Sequence, residues 1–186
     1  MQTNRKSNLM WRLTPVDAGQ STGKIEAIAG LLGLDGIPNF LRLLARSPAS
    51  MNAFLQAEAA LAHGELAPHQ REEIALLVAE INGSSYCRAL HERSARQAGL
   101  TEGQIQLSRE ASASEPKTLA LLHFVQAIVL QRGEVSNDDF SAIRKAGFSD
   151  SEIIEIVANI ATNIFTNYFN LLAQTEPDCS LPQPPQ

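Results

Sequence analysis

The spacing of apolar positions along this chain is typical of amphipathic helices and not of strands. Few segments alternate apolar and polar residues with the period of two that a half-buried strand needs, and alanine and leucine are abundant. The sequence therefore predicts an all-α protein. Caps, prolines and helix-ending glycines set the bounds of the predicted helices, which cover residues 24–34, 39–46, 47–63, 68–82, 84–99, 115–132 and 149–175.

Two short segments in the second half of the chain are alike. Residues 98–105 read AGLTEGQI and residues 146–153 read AGFSDSEI. Each contains a helix-ending glycine, an apolar residue, a Thr or Ser cap, and a Gln or Glu three residues after the cap. Two copies are too few for a solenoid. We therefore expect a duplicated helix–turn–helix unit inside one helical domain at residues 24–178, with an N-terminal arm at 1–23 and an extended, proline-rich tail at 179–186.

Composition narrows the class of protein. Hydrophobic residues make up 44% of the 186 residues and charged residues 19%, which suits a globular domain with a real core. The net charge of −5, without a basic run, argues against nucleic-acid binding. No apolar run approaches the ~20 residues of a membrane span, and no signal peptide is apparent. The two cysteines, Cys87 and Cys179, form no disulfide framework, so we expect reduced thiols in a cytoplasmic protein.

The helix predicted over residues 68–82 contains a candidate general base. Glu72 lies at the head of an apolar stripe, whereas Glu73 and Glu80 fall on the face that should meet solvent. A partly buried carboxylate tends to have a raised pKa and can accept a proton in catalysis. The alternative is that Glu72 is an ordinary first-turn residue, favoured there by the helix dipole.

The next helix contains a candidate nucleophile. Ser84 or Ser85 is the expected N-cap, so Cys87 falls in the first turn, where backbone amides and the helix dipole favour a thiolate. His91 follows one turn later on the same face and could stabilise the thiolate or relay protons. Taken alone, the Cys87–His91 pair is weak evidence for catalysis, because a buried cysteine and an ordinary histidine give the same pattern. Two ligands on one helix are also too few for zinc, which needs three or four.

These residues stand in motifs that resemble the core of the alkylhydroperoxidase D (AhpD) and carboxymuconolactone decarboxylase superfamily. The pattern of that superfamily is sPxxRE, then NGCxYCxxxH, then AxxxGLT. It is similar to PHQRE at residues 68–72, NGSSYCRALH at residues 82–91 and ARQAGLT at residues 95–101. GIPN at residues 36–39 and FTNYFN at residues 165–170 resemble the peroxidase-related members. The resemblance covers most of residues 24–180.

The resemblance implies an all-helical, AhpD-like fold that assembles into homo-oligomers, often trimers or hexamers. In the peroxidase members a cysteine attacks a hydroperoxide and becomes a sulfenic acid, and an earlier cysteine then closes a disulfide with it. A glutamate and a histidine relay protons. By position, Cys87 would be the attacking thiol, and Glu72 and His91 the relay. The resemblance implies no metal, haem or flavin, and it gives Asn82, Ser84 and Tyr86 substrate-binding or supporting positions.

This sequence departs from the pattern at one place, because Ser84 stands where the first cysteine of the pair belongs. A serine cannot close the resolving disulfide. The protein could be a one-cysteine peroxidase whose sulfenic acid is resolved by an external thiol or reductant protein, or Cys179 could resolve it. Alternatively, peroxidase activity is lost and the protein is a redox sensor or an oligomeric scaffold. A carboxymuconolactone decarboxylase-like enzyme is a further alternative, although such enzymes do not need Cys87.

The long C-terminal helix raises a separate question. Asn159, Asn163, Asn167 and Asn170 fall on one face of it. They could form a polar stripe that meets solvent, or their amides could hydrogen-bond across helices, including between subunits. The apolar surface between Ile153 and Phe165 is too extensive for a lone surface helix, so we expect subunit contacts to bury it.

Overall fold

The computed structural model describes residues 11–16 and 37–177, and within these ranges the chain forms α-helices and no strand. The expected all-α fold is confirmed. None of these helices is both long and apolar enough to cross a membrane. The predicted helix over residues 24–34 and Cys179 lie outside the described residues. The helices are α1 (Asn39–Leu44), α2 (Pro48–Leu61), α3 (Pro68–Ile81), α4 (Ser85–Gln97), α5 (Glu102–Arg109), α6 (Pro116–Leu130), α7 (Asn137–Lys145) and α8 (Asp150–Ala173).

Helix α3 is the centre of the fold, because α4, α5, α6 and α8 all pack against it. Every residue from 73 to 79 is buried, so both apolar stripes of this helix face other helices. One side joins α6, α7 and α8 in the main core, and the other joins α1, α2 and α4 in a second cluster around Cys87. The fully buried side chains that hold α3 to α6 and α8 are Ile74, Leu77, Val78, Leu121, Leu122, Val125 and Ile156.

The repeated stop-and-cap signal forms the two turns that it predicts. Gly99 and Gly147 have φ of 92° and 89°, the left-handed conformation that ends a helix and that glycine adopts without strain. Thr101 and Ser149 then cap α5 and α8, each in a reciprocal capping box with the residue three positions later. The two units are therefore α4–α5 and α7–α8.

Part of the predicted N-terminal arm lies against the helical domain. The Arg12 N–H donates to the Ala173 carbonyl at 3.2 Å, and the Val16 N–H donates to the Arg42 carbonyl at 3.0 Å. These two bonds connect residues 11–16 to the end of α8 and to α1. The division into arm, domain and tail stays a prediction.

Glu73 is not on a solvent-facing side of α3, contrary to the expectation from the sequence. Its exposed fraction is 3%, because α5 and the turn before α6 cover this side of the helix. Its Oε2 has no hydrogen-bond partner in the described part of the chain. Burial, reinforced by the negative charge of Glu115, raises the pKa of Glu73 to about 7.

We expect Glu73→Gln to stabilise the protein increasingly as pH rises. The folded state prefers protonated Glu73, so wild type loses stability from the ordinary pKa of 4.5 up to the folded value of about 7. The unfolding free energy of the variant minus that of wild type should therefore increase by up to about 3 kcal/mol between pH 4.5 and pH 8. Urea unfolding across this range measures the difference. The exposed Glu134→Gln is the control, and a difference that is flat with pH for Glu73→Gln would contradict the account.

Helix α8 has a buried face and an exposed apolar face. Ile153, Ile156 and Ile160 pack into the core of their own chain, so subunit contacts are not needed to bury them. The opposite side stays exposed, with Ile154 at 69% and Tyr168 at 59%. We call this side the apolar face of α8, and it consists of Ile154, Val157, Phe165, Tyr168, Leu171 and Leu172.

Candidate active site

A cavity of about 100 Å³ lies among α1, α2, α3, α4 and α8. Cys87 and His91 of α4 and Glu72 of α3 all line it. The three candidate catalytic residues predicted from the sequence, which come from two different helices, therefore line the same cavity. The other lining residues are Phe40, Phe54, Glu58, Leu90, Ser94, Asn163, Thr166 and Asn170.

The turn between α3 and α4 places Cys87 at the start of its helix. Gly83 has φ 69°, and the Ser84 N–H donates to the Ala79 carbonyl at 2.9 Å, which closes the end of α3. Helix α4 begins at Ser85, so Ser84 occupies the N-cap position as expected. Its hydroxyl makes no capping bond, however, and is buried against the site, with the residue 1% exposed.

His91 and Glu72 form a hydrogen-bonded pair at the cavity. The His91 Nδ1 and the Glu72 Oε2 are 2.9 Å apart, and the two side chains are 21% and 22% exposed. A carboxylate only accepts, so Nδ1 carries the proton and Nε2 is the nitrogen left for proton transfer. Burial disfavours a charged His91, but the hydrogen bond and charge of Glu72, the charge of Glu58 and the side chain of Asn163 outweigh it. Together these groups raise the pKa of His91.

We expect Glu72→Gln to lower the pKa of His91 by about one unit or more, because an opposite charge in contact typically shifts a pKa by roughly 1–3 units. The raised pKa contributes stability that is present below the ordinary value of 6.5 and lost as pH rises through the folded value. The variant should lose this contribution. NMR titration of the His91 ring protons measures the shift, with the exposed Glu65→Gln as the control. The same His91 pKa in wild type and in Glu72→Gln would refute the pairing.

The Cys87 thiol is 2% exposed and accepts a hydrogen bond from the Asn170 Nδ2 at 3.2 Å. Burial raises the pKa of Cys87, and the polar groups of Ser84, Asn170, Asn167 and Thr166 lower it by less. The sequence predicted a thiol that ionises more easily at the helix N-terminus. The structure differs because removal from water disfavours the thiolate more than the surrounding polar groups favour it.

Tyr86 and Asn82, two further residues predicted for the site, contact the helices that surround the cavity. Tyr86 does not line it; the phenolic oxygen accepts a hydrogen bond from the Phe40 N–H at 3.3 Å, and the two rings pack edge to face. Asn82 donates from Nδ2 to the Asn167 Oδ1 at 3.1 Å. Tyr86 thus fixes α1, and Asn82 fixes α8, against the turn that carries the cysteine.

The four asparagines of α8 face the interior, with exposed fractions of 8% or less. The first two donate to carbonyls one turn earlier in their own helix. Asn167 and Asn170 bond to Asn82 and Cys87, which lie at the α3–α4 turn. The interpretation as a solvent-facing stripe is wrong, and hydrogen bonding across helices is confirmed for the last two, within one chain.

Glu58 is a residue of the cavity that the sequence did not predict. This residue lies on α2, lines the cavity and is partly buried. Burial raises its pKa, although the charge of His91 acts in the opposite direction. A signal was present, because Glu58 follows Met51 and Phe54 at helical spacing and is the charged residue on that apolar face.

The next feature is the arrangement of the side chains that could bind a metal ion. In residues 11–16 and 37–177, no cluster of three or more His, Cys, Asp or Glu side chains could hold a metal ion. The cavity brings together two carboxylates, an imidazole and a thiol, which are groups able to exchange protons and, in the case of the thiol, to act as a nucleophile.

Comparison with known proteins places these features in a family context. Residues 47–130 match the model of the carboxymuconolactone decarboxylase family. This segment contains α2 to α6 and, with them, Glu72, Cys87 and His91. Among curated proteins, no sequence matches the chain.

Several solved structures share the fold. A peroxidase-related protein from Silicibacter sp. TM1040 is 23% identical, with a TM-score of 0.74 over 85% of this chain and 84% of that chain. An AhpD-core, peroxidase-related protein from Ralstonia eutropha JMP134 is 25% identical, with a TM-score of 0.73 over 84% of each chain. A cysteine-to-alanine variant of the debrominase Bmp8, in complex with 2,3,4-tribromopyrrole, is 19% identical, with a TM-score of 0.76 over 90% of this chain and 91% of that chain. The similarity to the family model covers residues 47–130, and over most of the chain the fold is the one found in AhpD-related and peroxidase-related proteins.

Proposed function

We propose that this protein is a thiol-dependent hydroperoxide reductase of the one-cysteine type, with Cys87 as the nucleophile. The observation that carries the proposal is that Cys87 lines the same small cavity as the hydrogen-bonded His91–Glu72 pair. A nucleophile, a proton carrier and a carboxylate that orients the carrier are the groups that reduction of a peroxide by a thiol requires. The AhpD-like fold supports a peroxidase-related activity in general.

The reaction begins with transfer of the Cys87 proton to the His91–Glu72 pair. The thiolate then attacks the terminal oxygen of the hydroperoxide, so that an S–O bond forms while the O–O bond breaks. The departing alkoxide takes the proton from His91 and leaves as an alcohol. Sulfur is oxidised by two electrons to the sulfenic acid, and the peroxide is reduced by the same two electrons.

An external thiol completes the cycle, because Ser84 cannot form a disulfide. One thiol attacks the sulfenic sulfur and releases water, which leaves a mixed disulfide on Cys87. A second thiol attacks this disulfide and restores the Cys87 thiol. Such thiols are abundant in the cytoplasm, where we expect the protein to act.

The walls of the cavity favour an alkyl hydroperoxide over hydrogen peroxide. Phe40, Phe54 and Leu90 contribute apolar surface to the lining, and the Phe40 and Phe54 rings pack edge to face at 5.8 Å. An alkyl group that contacts these side chains leaves water, which is favourable in proportion to the area buried. The peroxide oxygens are then left to the polar lining groups, which include Cys87 and His91.

Consumption of cumene hydroperoxide, with dithiothreitol as reductant, tests the proposal. We expect wild type to consume the peroxide, and Cys87→Ser to consume it no faster than buffer does. The exposed Ser85→Ala is the control and should match wild type. Equal consumption by wild type and Cys87→Ser would refute the reductase. Turnover of a carboxymuconolactone that survives Cys87→Ser would favour a decarboxylase instead.

A second candidate is thiol-dependent removal of halogen from an aromatic compound. It is favoured by the aromatic wall of Phe40 and Phe54 beside Cys87, and by the likeness in fold to a debrominase that binds a bromopyrrole. The same reductant with a brominated pyrrole distinguishes the two candidates. Bromide release that depends on Cys87, without hydroperoxide consumption, would replace the first proposal with the second.

The apolar face of α8 supports assembly into a homo-oligomer, a trimer or a hexamer. An exposed stripe of this extent on one helix is typical of a subunit interface. We expect light scattering with size exclusion to show wild type as an oligomer, and Ile154→Glu combined with Leu172→Glu as a monomer. Ser151→Glu, on the exposed start of the same helix, is the control. A monomeric wild type at micromolar concentration would contradict this assembly.

A further inference from the structure

The mechanism above does not use three buried polar atoms near the Cys87 sulfur. The Ser84 hydroxyl oxygen, the Asn167 Nδ2 and the Asn170 Oδ1 have no hydrogen-bond partner in the described part of the chain. Their residues are 1%, 0% and 4% exposed, so bulk water does not reach them. Buried polar atoms without a partner are rare and costly. A group of them beside a reactive sulfur indicates that their partners arise during the reaction.

Two of these atoms can donate, and the reactive form of Cys87 can only accept. A thiolate has no hydrogen, so the nitrogen of each neighbouring amide must face it. The Asn170 Nδ2 already does so at 3.2 Å. The Ser84 hydroxyl and the Asn167 Nδ2 are the further donors that can turn to the sulfur once it carries a charge. Ser84, Asn167 and Asn170 all favour the thiolate over the thiol, because each lowers the pKa of Cys87.

The third atom, the Asn170 Oδ1, can only accept. Asn170 lines the cavity and donates to the sulfur from Nδ2, and its Oδ1 has no partner in the described part of the chain. A hydroperoxide has a single donor, the O–H on the terminal oxygen that the thiolate attacks. The sulfenic acid that forms has its single O–H on the same oxygen.

We propose that Asn170 is a catalytic residue whose Nδ2 holds the Cys87 thiolate while its Oδ1 accepts the O–H of the hydroperoxide, with Ser84 and Asn167 as further donors to the sulfur. This inference rests on the proposed function and narrows its substrate class to peroxides that carry an O–H. The Asn170 amide then positions the terminal oxygen of the hydroperoxide beside the sulfur, and it remains hydrogen-bonded to the same O–H in the sulfenic acid. Ser84 therefore has a role at the sulfur in place of the resolving cysteine.

Charged side chains on other helices and on α4 also line the cavity of Cys87, so the test must leave these side chains unchanged. Glu58 of α2, Glu72 of α3 and His91 of α4 line the same cavity, whereas α8 contributes only neutral groups there. Substitution of Asn170 leaves all three charged groups in place. Asn159→Ala is the matched control, because Asn159 is equally buried on the same face of α8 but bonds only within its own helix.

The experiment compares wild type, Asn170→Ala, Asn170→Asp and Asn159→Ala. The ultraviolet absorbance of the thiolate against pH gives the thiolate fraction of Cys87. Rates of reaction with cumene hydroperoxide and with iodoacetamide, which has no O–H, are then divided by that fraction. We expect Asn170→Ala to lower the thiolate fraction at pH 8 about tenfold, the equivalent of one pKa unit. Its rate with the hydroperoxide per thiolate should fall by a further factor of about ten, while the rate with iodoacetamide per thiolate stays unchanged.

Asn170→Asp keeps the shape of the side chain but removes the donor and adds a negative charge, so it should lower the thiolate fraction more strongly than Asn170→Ala does. It carries the test if the alanine variant fails to fold. Values for either Asn170 variant that equal those of Asn159→Ala would overturn the inference. If wild type is inert to hydroperoxide, the proposed function and the role of Oδ1 are both refuted. The thiolate fraction alone then decides the role of Nδ2.

Discussion

Ser84→Cys is expected to turn the site into a two-cysteine peroxidase. Ser84 is the N-cap of α4 and Cys87 lies three residues on, the spacing of the two cysteines in the superfamily motif. Both residues are buried at the same turn, at 1% and 2% exposure. The introduced thiol should therefore attack the sulfenic acid of Cys87, form a disulfide and release water. The effective concentration of such a neighbouring thiol exceeds that of a free reductant by orders of magnitude.

Mass spectrometry after one equivalent of cumene hydroperoxide measures this outcome. The variant should lose two hydrogens per chain, and its turnover with dithiothreitol should increase about tenfold or more, because the sulfenic acid no longer waits for an external thiol. Ser85→Cys is the control, since that position is exposed whereas Ser84 and Cys87 are buried. A sulfenic acid that persists in Ser84→Cys would show that the turn does not bring the two positions together.

His91→Ala is expected to slow the reaction with hydroperoxide by roughly 10²–10⁴-fold, the usual contribution of a positioned general acid. The imidazole gives its proton to the departing alkoxide, and Glu72 holds the ring by the 2.9 Å hydrogen bond at Nδ1. The loss should therefore grow as the leaving alkoxide becomes more basic. Alkylation by iodoacetamide at a fixed thiolate fraction has no such dependence.

Stopped-flow rates with a series of hydroperoxides whose alcohols differ in acidity test this prediction. For wild type the rate should depend weakly on the acidity of the alcohol, and for His91→Ala strongly. The exposed His123→Ala is the control and should match wild type. A small loss in His91→Ala, uniform over the series, would exclude His91 as the acid.

The sequence predicted α1 to α4, α6 and α8, because their ends are encoded locally, but it gave no bounds for α5 and α7. A proline or an N-cap residue starts α2, α3 and α8, and capping boxes at Thr101 and Ser149 complete the repeated turns. The motif spacing likewise predicted that Cys87, His91 and Glu72 would share a site. Two of these residues are one turn apart on a single helix, and the third lies on the helix that precedes it.

What the sequence did not predict depends on contacts between distant segments. Periodicity placed Glu73 in solvent, since it cannot show that a central helix such as α3 is covered on nearly all sides. The thiol of Cys87 was expected to ionise easily from its position in the helix, yet burial by other helices decides its pKa. Glu58 and Asn170 reach the cavity from α2 and α8, which are remote from the motif in sequence.

The most direct test of the central claim is the trapping of a sulfenic acid on Cys87. Wild-type protein is mixed with one equivalent of cumene hydroperoxide and dimedone, without reductant, and the modified residue is located by mass spectrometry. We predict one dimedone adduct per chain, on Cys87, together with one equivalent of cumyl alcohol. An unmodified Cys87 after the peroxide has been consumed, or an intact peroxide beside a reduced thiol, would contradict the account.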